Sequence, residues 1–221
     1  MQRRQKMTLL NLKEIEKKAY RSTFQDGLWD IFLGLLLLNL AFGALLDNRG
    51  VSEGLNMTIL TTVGVLIILA FIAAKKRITV PRMGLVKFGT KRKRKIWKSR
   101  LILVGSVLAG LILFLAAILI SYYPVGRPRI LFLLPAAWVA NTIIVFSLLA
   151  YYLDCARLYA YGLLFALPVP CQIILKKFFG VNLITMTLAV SAAIMIFVGT
   201  LLLNRFLKDY PLPDTEASNG Q

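Results

Sequence analysis

Six long apolar runs, flanked by charged and turn-forming residues, set the pattern of this chain: Gly27 to Leu46, Met57 to Ala74, Leu101 to Tyr122, Ile130 to Leu153, Leu158 to Leu175 and Val181 to Leu203. Each holds 18 to 24 residues, enough at about 1.5 Å per residue to cross a hydrocarbon core of roughly 30 Å once tilt and flanks are counted. Backbone groups in that core find no water, so a crossing segment must close its hydrogen bonds within itself and the runs predict helices. The expected fold class is all-α, a polytopic transmembrane helical bundle of about six spans over residues 27–204.

The fifth run departs from the others. It contains Pro168, Pro170 and Gln172 and stops at Lys176 and Lys177, so it reads either as a full span with a proline kink or as a broken helix beside a cavity. The reading favours a full span, which puts both termini in the cytoplasm. Ahead of the first run, Thr8 to Phe24 places Leu9, Leu12, Ile15 and Ala19 at helical spacing among charged residues, with Asn11 and Glu14 spaced as a capping box. Residues 1–26 are expected to form an amphipathic segment, on the membrane surface or leading into it. The apolar run starts too late for a cleaved signal peptide, which leaves the first span as the insertion signal. Residues 205–221 read as a short, disordered tail.

Composition agrees with the bilayer: 58% of residues are hydrophobic and 17% charged, against roughly 45–50% and about 25% in soluble domains. The charge then sets orientation. Of the 27 Lys and Arg residues, 22 fall on the segments read as cytoplasmic and 5 on the outer ones, whether or not the fifth run crosses. The positive-inside rule therefore places the N-terminus and the 75–100 connection in the cytoplasm, with the cytoplasmic (inner) membrane as the expected location. A net charge of +17 would raise nucleic acid as a partner in a soluble protein, but here the charge flanks apolar runs, so anionic headgroups are the expected partner and nucleic acid is not.

The stretch Lys75 to Arg100 is a basic cytoplasmic loop with twelve cationic residues and no acid. Its middle, Ile78 to Phe88, is β-branched and apolar and interrupted by Pro81 and Gly84, so it reads as an extended or hairpin-like piece on the membrane surface. Arg82, Lys87, Lys91, Arg92, Lys93, Arg94 and Lys95 form the candidate lipid or partner surface. A second set of candidates lies in the membrane. Asp26 and Asp30 stand four residues apart on one helical face, with Asp30 already inside the apolar run, and a carboxylate at that depth needs a cation, for which the nearby basic loop supplies many candidates, Arg82 and Lys87 among them. The alternative for this pair is a proton- or cation-responsive site. Asn39 and Asn141 sit at mid-span, where Asn joins helices by hydrogen bonds, and Gly34 and Gly43 mark close helix approach. Gln172 completes the intramembrane polar set.

Known catalytic chemistries fit poorly. The chain has no histidine, which removes the commonest general base and metal ligand. Its two cysteines, Cys155 and Cys171, lack CxxC spacing. LDCARLYAYG superficially resembles the signature of the CDP-alcohol phosphotransferases, but the spacing is wrong and the downstream aspartates are missing. The segments QDGLWDIFLG and TVPRMGLVKFG are similar to matching pieces of small multi-pass prokaryotic membrane proteins of uncharacterised function. That resemblance implies no activity, only that the two segments belong together. The expectation is a non-enzymatic membrane protein without cofactors, binding anionic lipid and a protein partner or a second copy as a homo-oligomer. The alternative is a small transporter or channel subunit using Asp30, Asn39, Asn141 and the fifth run.

Overall fold

The computed structural model describes residues 26–83, 90–122, 127–180 and 182–211, with the side chains of 83, 90–93, 113, 114, 116–122 and 127–134 outside the description. Thr8 to Phe24, Lys87 and the last ten residues of the tail therefore also lie outside the described residues. The order is α1 (Leu28–Asn48), α2 (Glu53–Ala74), a π turn (Lys75–Thr79), a short helical turn (Val80–Met83), α3 (Thr90–Tyr122), α4 (Arg127–Leu153), α5 (Arg157–Ala166), α6 (Pro168–Phe179) and α7 (Ile184–Asp209). Among the described residues there is no strand. Among the described residues five stretches are long and apolar enough to cross a membrane: Leu28–Asn48, Glu53–Arg82, Pro135–Leu153, Arg157–Phe179 and Ile184–Asp209. No residue of α2 is buried, and large apolar side chains such as Leu66, Ile72, Val107 and Phe197 are exposed. Water would penalise such a surface heavily, whereas lipid does not.

Three observations correct the expected boundaries. Helices outrun their apolar runs into charged sequence, so α7 carries Arg205 and Lys208, which were placed in the tail. Ile78 to Met83 is helical rather than extended, because the second helix continues through Arg82. The loop read over residues 75–100 is thus helical at both ends, with α3 taking up its second half from Thr90.

Pro81 accounts for the π turn. In α-helical register its ring would meet the Arg77 carbonyl and it has no N–H to offer. The chain instead widens, and the Val80 N–H reaches back five residues to the Lys75 carbonyl. Helix ends follow local rules too. After α1, Gly50 takes φ 76, its N–H bonding to the Asp47 carbonyl and that of Val51 to the Leu46 carbonyl, a Schellman closure. Asp154 plays the same part after α4 at φ 53, with Cys155 N–H bonding to the Ala150 carbonyl. Asp tolerates that conformation better than most L-residues.

The chain divides into two compact units. One comprises Met1–Phe88 with Ala192–Gln221, the other Gly89–Ser191. In the first, α1 and α2 form an antiparallel hairpin. Asn39 Nδ2 donates to the Leu60 carbonyl at 3.0 Å and Asn56 Nδ2 to the Gly43 carbonyl at 3.1 Å. Trp29 and Phe32 both pack on Phe71, with ring centroids 4.8 and 4.5 Å away. The Ala192–Asp209 part of α7 lies antiparallel along the other side of α1. A Cβ on Gly34 would stand 2.7 Å from Ile196 Cγ1 and 3.1 Å from the Ala192 carbonyl, and one on Gly199 would stand 2.7 Å from the Ile31 nitrogen. Glycine here brings two backbones together, the usual device where lipid removes the hydrophobic drive to associate. In the second unit α3, α4 and α5 run up and down, with Phe146 against both Gly162 and the Phe165 ring.

Candidate functional site

Two polar arrangements emerge, one in each unit. In the first unit the dipeptide Asp26-Gly27 forms the turn into α1. Gly27 takes φ 74, and a Cβ there would run into the Gly199 carbonyl. This turn places Asp26 just ahead of the helix, so Asp26 and Asp30 do not share a helical face as the spacing predicted. Asp26 is 0% exposed and accepts three hydrogen bonds: from the Leu28 N–H at 3.2 Å, from Lys75 Nζ at 2.6 Å and from Thr79 Oγ1 at 2.6 Å. The π turn holds Lys75 and Thr79 on one side, so that both reach the same carboxylate oxygen. Asp30, in the first turn of α1 and also buried, acts on the same ammonium.

The basic loop supplies the cation at its first residue, Lys75. Arg82 does not meet Asp26. Its Nη1 donates to the Ile78 carbonyl at 3.1 Å, and its buried Nε has no partner among the described residues. Lys75 was counted only as loop charge, although its place directly after an apolar run was a usable signal. Thr79 and Asn56 were missed, since nothing in their spacing distinguishes them from other polar residues at span ends.

The second unit holds the basic start of α3. Seven of the eleven residues from Thr90 to Arg100 are Lys or Arg, and the first turn carries no acid. Lys91, Arg92 and Lys93 belong to this helix with side chains outside the description, while Arg94 is exposed. Lys95 meets Asp154 at 3.3 Å and lies over the Tyr151 ring, 6.0 Å from its centroid. Lys98 lies 5.7 Å from the centroid of Tyr152. The two tyrosines stand edge to face at 5.2 Å, so the end of α4 is a platform for the lysines of α3.

The other intramembrane candidates act as struts. Asn141 Nδ2 donates to Ser106 Oγ at 3.3 Å, joining α4 to α3. Gln172 ties α6 to the approach of α7, donating to Asn182 Oδ1 at 2.7 Å and accepting from the Leu183 N–H at 2.9 Å. The fifth run is not unwound at its prolines. Leu167, between α5 and α6, has helical φ −62 and ψ −37, and the Cys171 N–H still bonds to its carbonyl. Among the described residues no group of three or more His, Cys, Asp or Glu is placed to hold a metal ion. Compared with known proteins, the chain matches no family model, no curated protein and no solved structure.

Proposed function

We propose that this chain is a six-crossing integral membrane protein, non-enzymatic, whose cytoplasmic basic face binds anionic lipid headgroups and through them, or through a protein partner, the membrane surface. The observation that carries the reading is the placement of charge on α3. Three of the seven cations, Lys91, Arg92 and Lys93, stand in the first turn at the positive end of the helix dipole, with no acid beside them, a placement that costs about 0.3–1 kcal/mol per charge near the terminus. Lys91 with Lys95 and Arg94 with Lys98 add like-charge pairs one turn apart, each unfavourable by roughly 0.2–0.5 kcal/mol. Nothing in the helix itself rewards this pattern. An anionic surface does, at about 1 kcal/mol per Lys or Arg, which is enough to reverse the sign. The exposed Trp97 beside the cations fits the headgroup level.

Six crossings are supported by the antiparallel contact of α1 with α7, since two antiparallel spans at the ends of a chain require an even number. The transporter alternative draws less support: Asn39 and Asn141 are engaged as interhelical struts, and the fifth run stays helical through Leu167.

The test is reconstitution of the whole chain into vesicles of phosphatidylglycerol or of phosphatidylcholine, followed by thermal unfolding. A higher Tm in the anionic lipid is expected, shrinking as salt rises and largely lost when residues 91–95 are all changed to Gln. Equal Tm values in the two lipids for the unaltered chain would sink the proposal.

A further inference from the structure

We infer that the α3–α4 corner is a seat for a single anionic phospholipid, with the phosphodiester at Lys98 and an acyl chain along α3. This rests on the basic-face reading and narrows it from a diffuse surface to one place. Lys98 is held over Tyr152 and Lys95 over Tyr151, so part of the entropy cost of fixing a flexible ammonium is met before a ligand arrives. Lys95 is neutralised by Asp154. Lys98 and exposed Arg94, one turn apart, repel each other until an anion sits between them.

Charge alone would serve a free phosphate equally well; the apolar surface adjoining Lys98 decides for a lipid. Leu101, Gly105, Leu108 and Ile112 follow Lys98 along α3 at steps of three and four residues, all exposed. They form a stripe of about 16 Å at roughly 1.5 Å per residue, close to the half-thickness of about 15 Å of one leaflet. Gly105 has open space where a side chain would stand, a notch in the stripe. On α4 the exposed Ile144, Leu148 and Tyr151 share one face, and Tyr151, 65% exposed, brings a ring with a polar tip to the level of the lysines. A headgroup above and a chain below is the geometry of an amphiphile.

The experiment is native mass spectrometry of the full chain released from membranes of mixed phosphatidylglycerol and phosphatidylcholine, counting retained lipid. One phosphatidylglycerol is expected to be retained by the unaltered chain and by Lys208→Gln, an exposed cation removed elsewhere. Lys98→Gln is expected to lower the retained fraction about fivefold, the worth of one surface charge. Gly105→Leu is expected to lower it comparably with charge unchanged, and because the site is open it carries no folding penalty. If the unaltered chain shows no preference for phosphatidylglycerol, the basic-face reading itself falls. If it shows the preference but Lys98→Gln and Gly105→Leu behave like Lys208→Gln, this seat is overturned and the diffuse surface stands. Displacement by inorganic phosphate, with Gly105→Leu silent, would also overturn it in favour of a soluble anion.

Discussion

At the scale of single residues, Asp26 is the clearest case of a group whose value depends on its surroundings. The carboxylate is buried, and its three donors come from its own turn and from two residues 49 and 53 positions away. Replacing it with Leu removes the carboxylate that pairs with the Lys75 ammonium, whose side chain is 19% exposed, and leaves it only the more distant influence of Asp30 beside its other contacts. The expected loss is near the lower end of the roughly 3–5 kcal/mol seen when one partner of a buried pair is removed. Asp26→Leu with Lys75→Met should recover part of that loss, because the pair itself is then replaced by two apolar groups although Asp30 loses the Lys75 charge, and thermal unfolding of both variants in detergent measures the difference. If the double variant is no more stable than the single one, the ion pair is not what the carboxylate contributes. The sequence marked Asp30, inside the apolar run, as the acid needing a partner and Asp26 only as its neighbour; that Lys75 pairs with Asp26 was not legible. Which of twelve cations faces it depends on helix register around Pro81, and residue spacing does not carry that information. Glycine offers a second comparison at this scale. Gly27→Ala combines a left-handed backbone at φ 74 with a collision against the Gly199 carbonyl, whereas Gly50→Ala meets only φ 76 in open space. The first should lower Tm severely and the second by the equivalent of about 1 kcal/mol.

At the scale of elements, the apolar pattern found the helices but not their ends, since periodicity marks where lipid begins and a helix runs on into water on its own hydrogen bonds. This is why residues 75–83 and 90–100 read as loop. Pro81 and a β-branched stretch are sound breaker signals, yet a proline requires only that the carbonyl four residues back be freed, and the π turn frees it. The same argument gives a prediction with an unusual sign. Alanine in place of an interior proline ordinarily stabilises a helix by about 3 kcal/mol. Here Pro81→Ala permits the ordinary register, which rotates Lys75 relative to Thr79 and removes at least one donor from Asp26. The variant should therefore gain nothing in Tm or lose stability. A gain approaching 3 kcal/mol would show that the turn is independent of the carboxylate it serves. The asparagines behaved more predictably than the aspartates. Asn39 and Asn141 were expected as interhelical glue, and each donates to a neighbouring helix, because an amide with no water available bonds to whatever backbone or hydroxyl is nearest.

For the molecule as a whole, the sequence left one question that charge could not decide, since the 22-to-5 asymmetry is the same for five crossings and for six. Packing bears on it directly. Gly27 meets Gly199 and Leu203, while Gly34 meets Ala192 and Ile196, so residue numbers rise along α1 as they fall along α7. With five crossings the first and last helices would enter the membrane from the same side and run parallel; with six they enter from opposite sides and run antiparallel, as they do. The fifth apolar run lies in the helical stretch Arg157–Phe179, which is long enough for the extra crossing. Two exposed positions separate the alternatives, Ser52 in the α1–α2 turn and Phe179 at the end of α6. In a background lacking Cys155 and Cys171, Ser52→Cys and Phe179→Cys should both react with a membrane-impermeant thiol reagent added to intact cells, while Trp97→Cys at the basic start of α3 should react only after permeabilisation. Protection of position 179 in intact cells, with labelling at 52 retained, would make the fifth stretch a re-entrant segment. It would also separate the two ends of the chain across the bilayer, an arrangement that the glycine contacts between α1 and α7 could not then accommodate.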